Sequence, residues 1–470
     1  DIVDEIIVVD TGSPDNTVSI ARELGAKIYH FEWVDDFAKA KNYAISKAKG
    51  DWVIFLDADE YFDINQAKQI PNLINKYGRG KTKFISCKMI NINEKTGNII
   101  ATFIQTRIFK KDKGIYYVSP IHERLRSEEK GIKSTLLSED ELVIYHTGYS
   151  EDRIDEKSER NLKLLLNELE KDKIDPTVYY FLADTYLPLK EYELCIKYGK
   201  LFLKNKVNLI GLNSKVYQNI IVSMIKLKKD CEEIVNFIQE ALNLFPKHPI
   251  FNVYLGEVYF STKQYELALK NYKLAVEKQE NYKDIEINHL VGRIHEVEYG
   301  IGRIYEYKNM EEKAVEYYIS ALKRNKTYVM ALNRLLKLIK NLDDADIVYL
   351  LNQLYSMDNM DELRILVQEL LNQRYSKVLA YYVNTMNKNF NYQDFSTVIM
   401  FLTNARYKEA FKHFYEAYLS NYENSYAKLA IVSGYLSKDI QMMVEMKDLV
   451  KPSYKRIIEV LFLLDEEVIL

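Results

Sequence analysis

The sequence predicts a fold of two parts, an N-terminal α/β domain followed by an all-α domain. In the first part, short apolar runs alternate with helical patterns, which is typical of a mostly parallel sheet with helices on both faces. Later in the chain, helical periodicity continues to the C-terminus without strand signals. With 16 Gly and 8 Pro in 470 residues, the composition favours long helices over turn-rich β structure. We therefore predict an α/β domain over 1–150, a linking helix over 151–172 and a helical repeat domain over 173–470.

Strands and helices alternate over the first 60 residues, with short connections between them. The predicted helices are TVSIARELGA and DDFAKAKNYAISKAKG, the second with an aspartate cap at its start and a glycine at its end. The predicted strands are DEIIVVD, KIYHFEW and WVIFLDAD. In a parallel sheet of this kind, ligands gather at the carboxyl ends of the strands. Asp10, Asp57 and Asp59 lie at such ends, so we expect them to share one cleft.

Small residues recur at fixed intervals in the second part of the chain. Gly256 is followed after 12 and 7 residues by two alanines, and Gly302 repeats both intervals. Aromatic residues fall between them at matching places, among them Tyr272 and Tyr318. This pattern resembles the tetratricopeptide repeat, whose paired helices place small residues where they cross and aromatics in the groove. The 46 residues between the copies exceed the usual period, so we expect longer helices or an inserted turn there. A generic helical domain with a chance recurrence is the alternative.

Charge and cysteine content narrow the functional classes. The formal net charge of -3 gives no electrostatic case for binding nucleic acid. Cys87, Cys195 and Cys231 have neither metal-ligand spacing nor the density of a disulfide scaffold, which favours a reducing compartment. No signal-peptide pattern opens the sequence, and no apolar run is long enough to span a bilayer. We expect a cytoplasmic protein without an integral membrane segment, and peripheral contact with the inner face of the membrane stays open.

Two acidic segments carry the chemistry of the first part. DTGSPDNT begins at Asp10, and although a capped turn explains most of it, an acid directly after IIVV needs a partner or a ligand. FLDADE contains Asp57 and Asp59 at a strand end. Two carboxylates held there can ligate Mg²⁺ or Mn²⁺ and leave positions open for phosphate oxygens. A chance pair of solvated acids is the alternative, and Glu60 is interpreted as no more than a solvated strand exit.

Taken in order, these segments resemble family 2 of the GT-A-fold glycosyltransferases. RIFKKDKGIYYVSPIHERL and VIYHTGYS follow them and lead into the helical repeats. The whole is similar to a branch that fuses the transferase to tetratricopeptide-like repeats. That branch includes bacterial enzymes that modify surface glycans and S-glycosyltransferases that modify cysteine in bacteriocin peptides. The resemblance implies a UDP-sugar donor, a Mg²⁺ or Mn²⁺ ion, inversion at the anomeric carbon, and a peptide, protein or glycan acceptor.

The resemblance also implies roles for individual residues of the donor site. Asp10 is expected at the nucleoside, with Ser13 in the same loop as a further contact. Asp57 is expected to lie near the ribose and diphosphate and to contact the metal ion. Asp59 is expected to be the principal metal ligand.

Five further residues match segments of the family. Lys41 and Asn42 stand where the family usually has an Arg-Asn pair in the donor site, and lysine puts a planar bidentate contact in doubt. Glu123 is the expected base that takes the proton of the acceptor. His122 is the second candidate for that base or an orienting neighbour, and both residues could instead only shape the acceptor pocket. His146 is a candidate metal or diphosphate ligand, with a structural role as the alternative.

One departure from the family concerns its first strand. Family members begin with a further apolar strand and a polar loop ahead of DEIIVVD, whereas this sequence starts at Asp1. That strand would be central in the sheet and its loop part of the nucleoside site, so we expect an N-terminally incomplete domain. The competing hypotheses are a repeat-based interaction protein with a vestigial transferase and a nucleotidyltransferase or other sugar-nucleotide enzyme. The repeats are expected to form a homodimer contact or a cradle for the acceptor.

Overall fold

The computed structural model describes most of the chain, in two compact units. Unit 1 comprises Asp1–Val297 and unit 2 comprises Glu298–Leu470. The predicted boundary near residue 150 reflects a change in sequence character and stays a prediction. The described residues are 2–94, 97–147, 154–172, 174–390, 406–421, 424–438, 440–447, 450 and 452–467.

The strands of unit 1 form three sheets. β1 and β2 pair in parallel, and β7 and β8 form an antiparallel pair. The largest sheet has the order β3-β6-β5-β10-β4, with β9 added on β5. The strands are β1 (Ile7–Asp10), β2 (Lys27–His30), β3 (Trp52–Ile54), β4 (Glu60–Phe62), β5 (Thr82–Ile92), β6 (Ile99–Lys110), β7 (Ile115–Val118), β8 (Arg124–Ser127), β9 (Lys133–Leu136) and β10 (Val143–His146).

The predicted fold class, an α/β part followed by helical repeats, is confirmed, but the strand pairing is mixed. β1 and β2 are parallel neighbours as expected. β3 pairs instead with β6, antiparallel, with Ile54 opposite Ile108. Among the described strands, antiparallel pairs outnumber parallel ones, which corrects the expectation of a mostly parallel sheet. The long β5 and β6, joined by a short connection, pair antiparallel and provide a ready ladder for β3.

Helices cover the sheets close to the predicted positions. The cap of α2 is the predicted one, since the Asp36 carboxylate accepts a hydrogen bond from the Lys39 N–H at 3.0 Å. α2 buries Ala38 and Lys41, and its first N–H, that of Phe37, donates to the Pro120 carbonyl at 2.8 Å. This face therefore lies against the segment that leads to Glu123. The helices here are α1 (Thr17–Glu23), α2 (Phe37–Lys47), α3 (Ile64–Ala67) and α4 (Ile70–Tyr77).

Helical hairpins make up the rest of unit 1. A helix, α5, lies within the range predicted for the linking helix, and residues 148–153 ahead of it lie outside the described part of the chain. The boundary between the units falls within α12. The helices are α5 (Ile154–Leu169), α6 (Thr177–Tyr186), α7 (Tyr192–Lys204), α8 (Asn213–Lys226), α9 (Cys231–Leu244), α10 (Ile250–Ser261), α11 (Tyr265–Glu280) and α12 (Ile294–Tyr307).

An inserted segment explains the long interval between the two best repeats. Residues 281–293 connect α11 to α12 and end in a 3₁₀ turn, Leu290–Gly292. Asn288 exchanges two backbone hydrogen bonds with Thr102 of β6, at 3.1 and 2.9 Å. A Cβ at Gly292 would lie 2.2 Å from the Ile99 carbonyl oxygen, so only glycine fits that approach. The insertion thus fastens the repeats to the β5–β6 hairpin.

Helices are the regular secondary structure that the described residues of unit 2 form. This confirms the helical prediction for 333–390, while 391–405 lie outside the described part. None of the described helices is long and apolar enough to cross a bilayer. Its helices after α12 are α13 (Glu311–Arg324), α14 (Val329–Leu338), α15 (Asp344–Asn352), α16 (Met360–Asn372), α17 (Ser376–Phe390), α18 (Tyr407–Asn421), α19 (Asn424–Ser437), α20 (Ile440–Lys447) and α21 (Pro452–Glu467).

The Gly302→Ala substitution tests the predicted helix crossing. A Cβ at Gly302 would lie 2.6 Å from the ring of Tyr318, which is fully buried and donates a hydrogen bond to Glu306 at 2.6 Å. We expect overpacking of about 3 kcal/mol to exceed the helix-propensity gain of about 1 kcal/mol, for a net loss of about 2 kcal/mol. Urea unfolding measures the loss. Gly50→Ala is the control, because its Cβ would meet no atom closer than 3.5 Å.

Candidate active site

Asp10 closes the first strand and is held by its own loop. Its carboxylate accepts a hydrogen bond from the Ser13 N–H at 2.9 Å and lies 3.2 Å from Nδ1 of His30. These hydrogen bonds, that of the Ser13 backbone first, lower the pKa of Asp10. The parallel register places His30 opposite Asp10. Ser13 and His30 therefore meet much of the hydrogen-bonding capacity of the Asp10 carboxylate. The predicted nucleoside contacts of Asp10 and Ser13 stay predictions.

Lys41 lies at the centre of the site. Its Nζ is 2.9 Å from Oδ1 of Asp57 and forms an ion pair with Glu123. The side chain is 9% exposed, and its ammonium lies 4.9 and 5.3 Å from the ring centroids of Phe55 and Tyr117. The aspartate after β3 and the glutamate of the IHERL segment are thus brought together through one lysine.

Arg107, which no sequence motif identified, holds the other side of Asp57. Its guanidinium donates to Oδ2 of Asp57 at 2.6 Å and to both oxygens of Glu60, one of them at 2.8 Å. Burial opposes the ionisation of Asp57, but the charges of Arg107 and Lys41 outweigh it and lower its pKa. The Glu60 side chain is only 3% exposed, so its interpretation as a solvated strand exit is wrong.

Asn42 is bound to the backbone of β7. Its amide nitrogen donates to the Tyr117 carbonyl at 2.9 Å, and its oxygen accepts from the Tyr117 N–H at 2.8 Å. This pair of bonds fixes β7 on α2 beside Lys41. A nucleotide contact by Asn42 stays a prediction, while the structure gives the amide a positioning role.

Asp59 and His146 lie together beside this network. Oδ2 of Asp59 is 3.3 Å from Nε2 of His146, and Nδ1 of the same ring is 2.9 Å from Oδ1 of Asn91. The Asp59 side chain is 42% exposed, which leaves it open to a ligand. Asn91 orients the imidazole so that Nε2 points at the carboxylate, as an outer partner does in metal sites.

The donor set fits a metal ion that is shared with a substrate. Among the described residues no group of three His, Cys, Asp or Glu side chains surrounds one point. Mg²⁺ and Mn²⁺ are commonly held by one or two protein ligands, with substrate phosphates and water completing the shell. Asp59 and His146 fit that arrangement. Both oxygens of Asp57 already face cations, so its role as a direct metal ligand stays a prediction that these contacts do not favour.

His122 packs against the first repeat helix. Its ring stacks on Phe181 of α6, with centroids 4.2 Å apart and planes 5° apart, and its backbone φ is +51°. Burial lowers the pKa of His122, which favours the neutral ring. Its Nε2 is buried and has no hydrogen-bond partner among the described residues. A strained residue with an unsatisfied buried nitrogen is characteristic of a functional site.

Arg124, the residue after Glu123, binds the IHERL segment to the start of the repeats. Arg124 donates to Asp175 and to the Thr177 hydroxyl, each at 3.0 Å, at the start of α6. The Asp175 carboxylate also accepts from the Thr177 N–H at 2.9 Å. The IHERL segment is therefore held between α2 of the α/β part and α6 of the repeats.

Two family models match the chain. Residues 2–126 match the model described as Glycosyl transferase family 2, and residues 297–328 match the model described as Tetratricopeptide repeat. The chain therefore carries a family 2 glycosyltransferase domain at its N-terminus and a tetratricopeptide repeat in its C-terminal part.

Similar proteins include glycosyltransferases and repeat proteins. A TPR repeat-containing protein of Synechococcus elongatus is 32% identical over 33% of this chain and 39% of its own length. The SPbeta prophage-derived glycosyltransferase SunS of Bacillus subtilis is 28% identical over 44% of this chain and 48% of its own. An uncharacterized glycosyltransferase of Rickettsia felis is 32% identical over 23% of this chain and 40% of its own. The chain thus spans less than half the length of each of these relatives.

Proposed function

We propose that this protein is a metal-dependent, inverting glycosyltransferase that moves a sugar from a UDP-sugar to a peptide, protein or glycan acceptor. The observation that carries the proposal is the convergence on Lys41. One ammonium joins Asp57, from the acid pair, to Glu123, from the IHERL segment. The family 2 model spans both segments, and the relative SunS is a glycosyltransferase by name.

Glu123 is the proposed base. Its carboxylate takes the proton from the acceptor O–H or S–H while the acceptor atom forms a bond to the anomeric carbon. The bond between that carbon and the diphosphate oxygen breaks, and UDP leaves with the electron pair. Attack from the face opposite the leaving group inverts the configuration. The Glu123 side chain is 16% exposed and pairs with Lys41, whose ammonium lies beside the rings of Phe55 and Tyr117.

The donor side consists of Asp57, Asp59 and His146. Asp59 and His146 would hold Mg²⁺ or Mn²⁺, and the bound ion would neutralise the diphosphate as it leaves. Asp57, which Arg107 and Lys41 keep ionised, is suited to the ribose hydroxyls as an acceptor of hydrogen bonds.

The repeats are the proposed location of acceptor binding. They begin at α6, which contacts the base-bearing segment through Phe181 and Thr177, and Asp175 just ahead of the helix adds a third contact. Stacked helix pairs form extended surfaces that suit a polypeptide. A homodimer through the repeats is a separate proposal, tested by light scattering.

Asp59→Ala is expected to remove the metal dependence of donor binding. In the wild-type protein, Mn²⁺ should raise the thermal shift produced by UDP, because the ion links Asp59 and His146 to the diphosphate. In the variant, the shift with UDP should be the same with and without Mn²⁺. Differential scanning fluorimetry with UDP and with several UDP-sugars measures both.

The control for this test is Asp51→Ala, an exposed acid near the start of β3. It should keep the full Mn²⁺ effect. Binding of UDP that ignores the metal and survives Asp59→Ala would sink the metal assignment. If neither UDP nor any UDP-sugar stabilises the wild-type protein, the alternative of a repeat-based interaction protein with a vestigial transferase is favoured.

A further inference from the structure

Lys41 contacts the two halves of the candidate site at once. Its ammonium has three N–H donors, and the carboxylates of Asp57 and Glu123 accept from it. The ammonium also lies over the rings of Phe55 and Tyr117. With 9% of its side chain exposed, the lysine has little freedom to leave this position.

The charges around Lys41 show which carboxylate depends on it. Asp57 has a second cation, since Arg107 donates to its other oxygen, and Arg107 also holds Glu60. Lys41 is the cation paired with Glu123 among the described residues. The other titratable groups close to Glu123 are His122, whose buried ring is favoured neutral, and the Tyr117 phenol. Removing Lys41 therefore leaves Asp57 paired and Glu123 without its counter-charge.

A lysine suits this bridge better than an arginine. The two carboxylates reach Nζ from different elements, the loop after β3 and the loop before β8. A compact ammonium can donate to both in a tetrahedral arrangement, whereas a guanidinium favours two parallel bonds to a single carboxylate. The replacement of the family's usual arginine by Lys41 thus has a geometric reason here.

We propose that Lys41 is a positioning residue that holds the Glu123 carboxylate in place and couples it to Asp57 of the donor site. The inference rests on the proposed function, in which Glu123 takes the proton of the acceptor. Lys41 acts through Glu123, so its loss should change turnover rather than the affinity for UDP. This differs from the predicted role of Lys41 as a direct donor contact.

The test is a double-mutant cycle between Lys41→Met and Glu123→Gln in the full chain. Turnover is read as UDP release from a UDP-sugar transferred to water, which needs no knowledge of the acceptor, and the affinity for UDP is measured by calorimetry. We expect Lys41→Met to lower kcat by about 10- to 100-fold, because a small displacement of a reacting group costs that much. Lys41→Arg should recover part of the loss. In the Glu123→Gln background, Lys41→Met should have no further effect.

Lys39→Met is the matched control on the same helix. Its side chain is 65% exposed and its ion pair with Asp36 is long, at 3.7 Å, so both kcat and the affinity for UDP should stay unchanged. Additive effects in the double variant would overturn the proposal. So would a loss of affinity for UDP with an unchanged kcat, because Lys41 would then be a donor contact.

Failure of the proposed function gives a different result. If the wild-type protein releases no UDP from any UDP-sugar, the proposed function is overturned, and with it the catalytic role of Lys41. The same four proteins then test the bridge itself through their free energies of unfolding. Non-additivity between Lys41→Met and Glu123→Gln supports the bridge, and additivity overturns it.

Discussion

Glu123→Gln is expected to lower sugar transfer by about 10²- to 10⁴-fold while leaving the affinity for UDP unchanged. Glutamine keeps the shape of the side chain and can still accept a hydrogen bond from Lys41 through its amide oxygen. It cannot take the proton of the acceptor. Turnover measured as UDP release from a UDP-sugar transferred to water reports the loss, and UDP calorimetry checks the donor site.

Two further variants make this result specific. Glu128→Gln changes an exposed acid five residues along the chain and should leave turnover intact. His122→Asn tests the second candidate for the base, whose ring stacks on Phe181 and whose Nε2 lacks a partner among the described residues. If Glu123→Gln kept full activity and His122→Asn lost it, His122 would be the base and Glu123 its neighbour in the acceptor pocket. Full activity in both would refute the proposal that the IHERL segment supplies the base.

The site residues that could be predicted from the sequence lie on or directly after elements with a clear local pattern. Asp57 and Asp59 follow an apolar strand, and Lys41 lies on a capped helix before it, so local patterns locate all three. Glu60 and Arg107 could not be placed in this way. They are 47 residues apart and meet because β3 pairs with β6, which brings the Arg107 carbonyl to the Phe55 N–H at 2.8 Å. Such pairing depends on tertiary contacts rather than on local propensity.

A signal for Arg107 was nevertheless present in the sequence. In the segment TFIQTRIFK, Arg107 directly precedes two apolar residues, Ile108 and Phe109, and an arginine buried beside them needs a carboxylate partner. His30 and Asn91 were missed for a related reason, because only strand register shows that they lie opposite Asp10 and His146.

The repeats were predictable in detail where small and aromatic residues pair. A Cβ at Gly256 would lie 2.4 Å from the Tyr272 ring, and a Cβ at Gly302 would approach the Tyr318 ring in the same way. The long interval between these copies is an inserted segment that binds β6 through Asn288. The interval predicted that something was inserted, but its backbone pairing with Thr102 could not be read from the sequence because neither segment shows a local signal for the other.

Arg107→Met is expected to destabilise unit 1 by about 3–5 kcal/mol, because it leaves the buried Glu60 carboxylate without its cation. Glu60 carries most of this cost, since its side chain is 3% exposed and Arg107 binds both of its oxygens. Asp57 contributes less, because Lys41 still pairs with it and 37% of its side chain is exposed. Urea denaturation monitored by tryptophan fluorescence is the measurement, since both tryptophans, Trp33 and Trp52, lie in this unit.

The double variant Arg107→Met/Glu60→Gln shows whether charge or packing dominates. Removing the charge of Glu60 should restore part of the lost stability, because an amide costs less to bury than an unpaired carboxylate. Arg126→Met is the matched control on an exposed position of β8 and should change stability by less than about 0.5 kcal/mol. If Arg107→Met were as mild as this control, Arg107 would not be the counter-ion of Glu60. If Glu60→Gln did not restore any of the stability lost in Arg107→Met, the contribution of Arg107 would come from packing rather than charge. Other contacts would then hold Asp57 and Asp59 in place after β3.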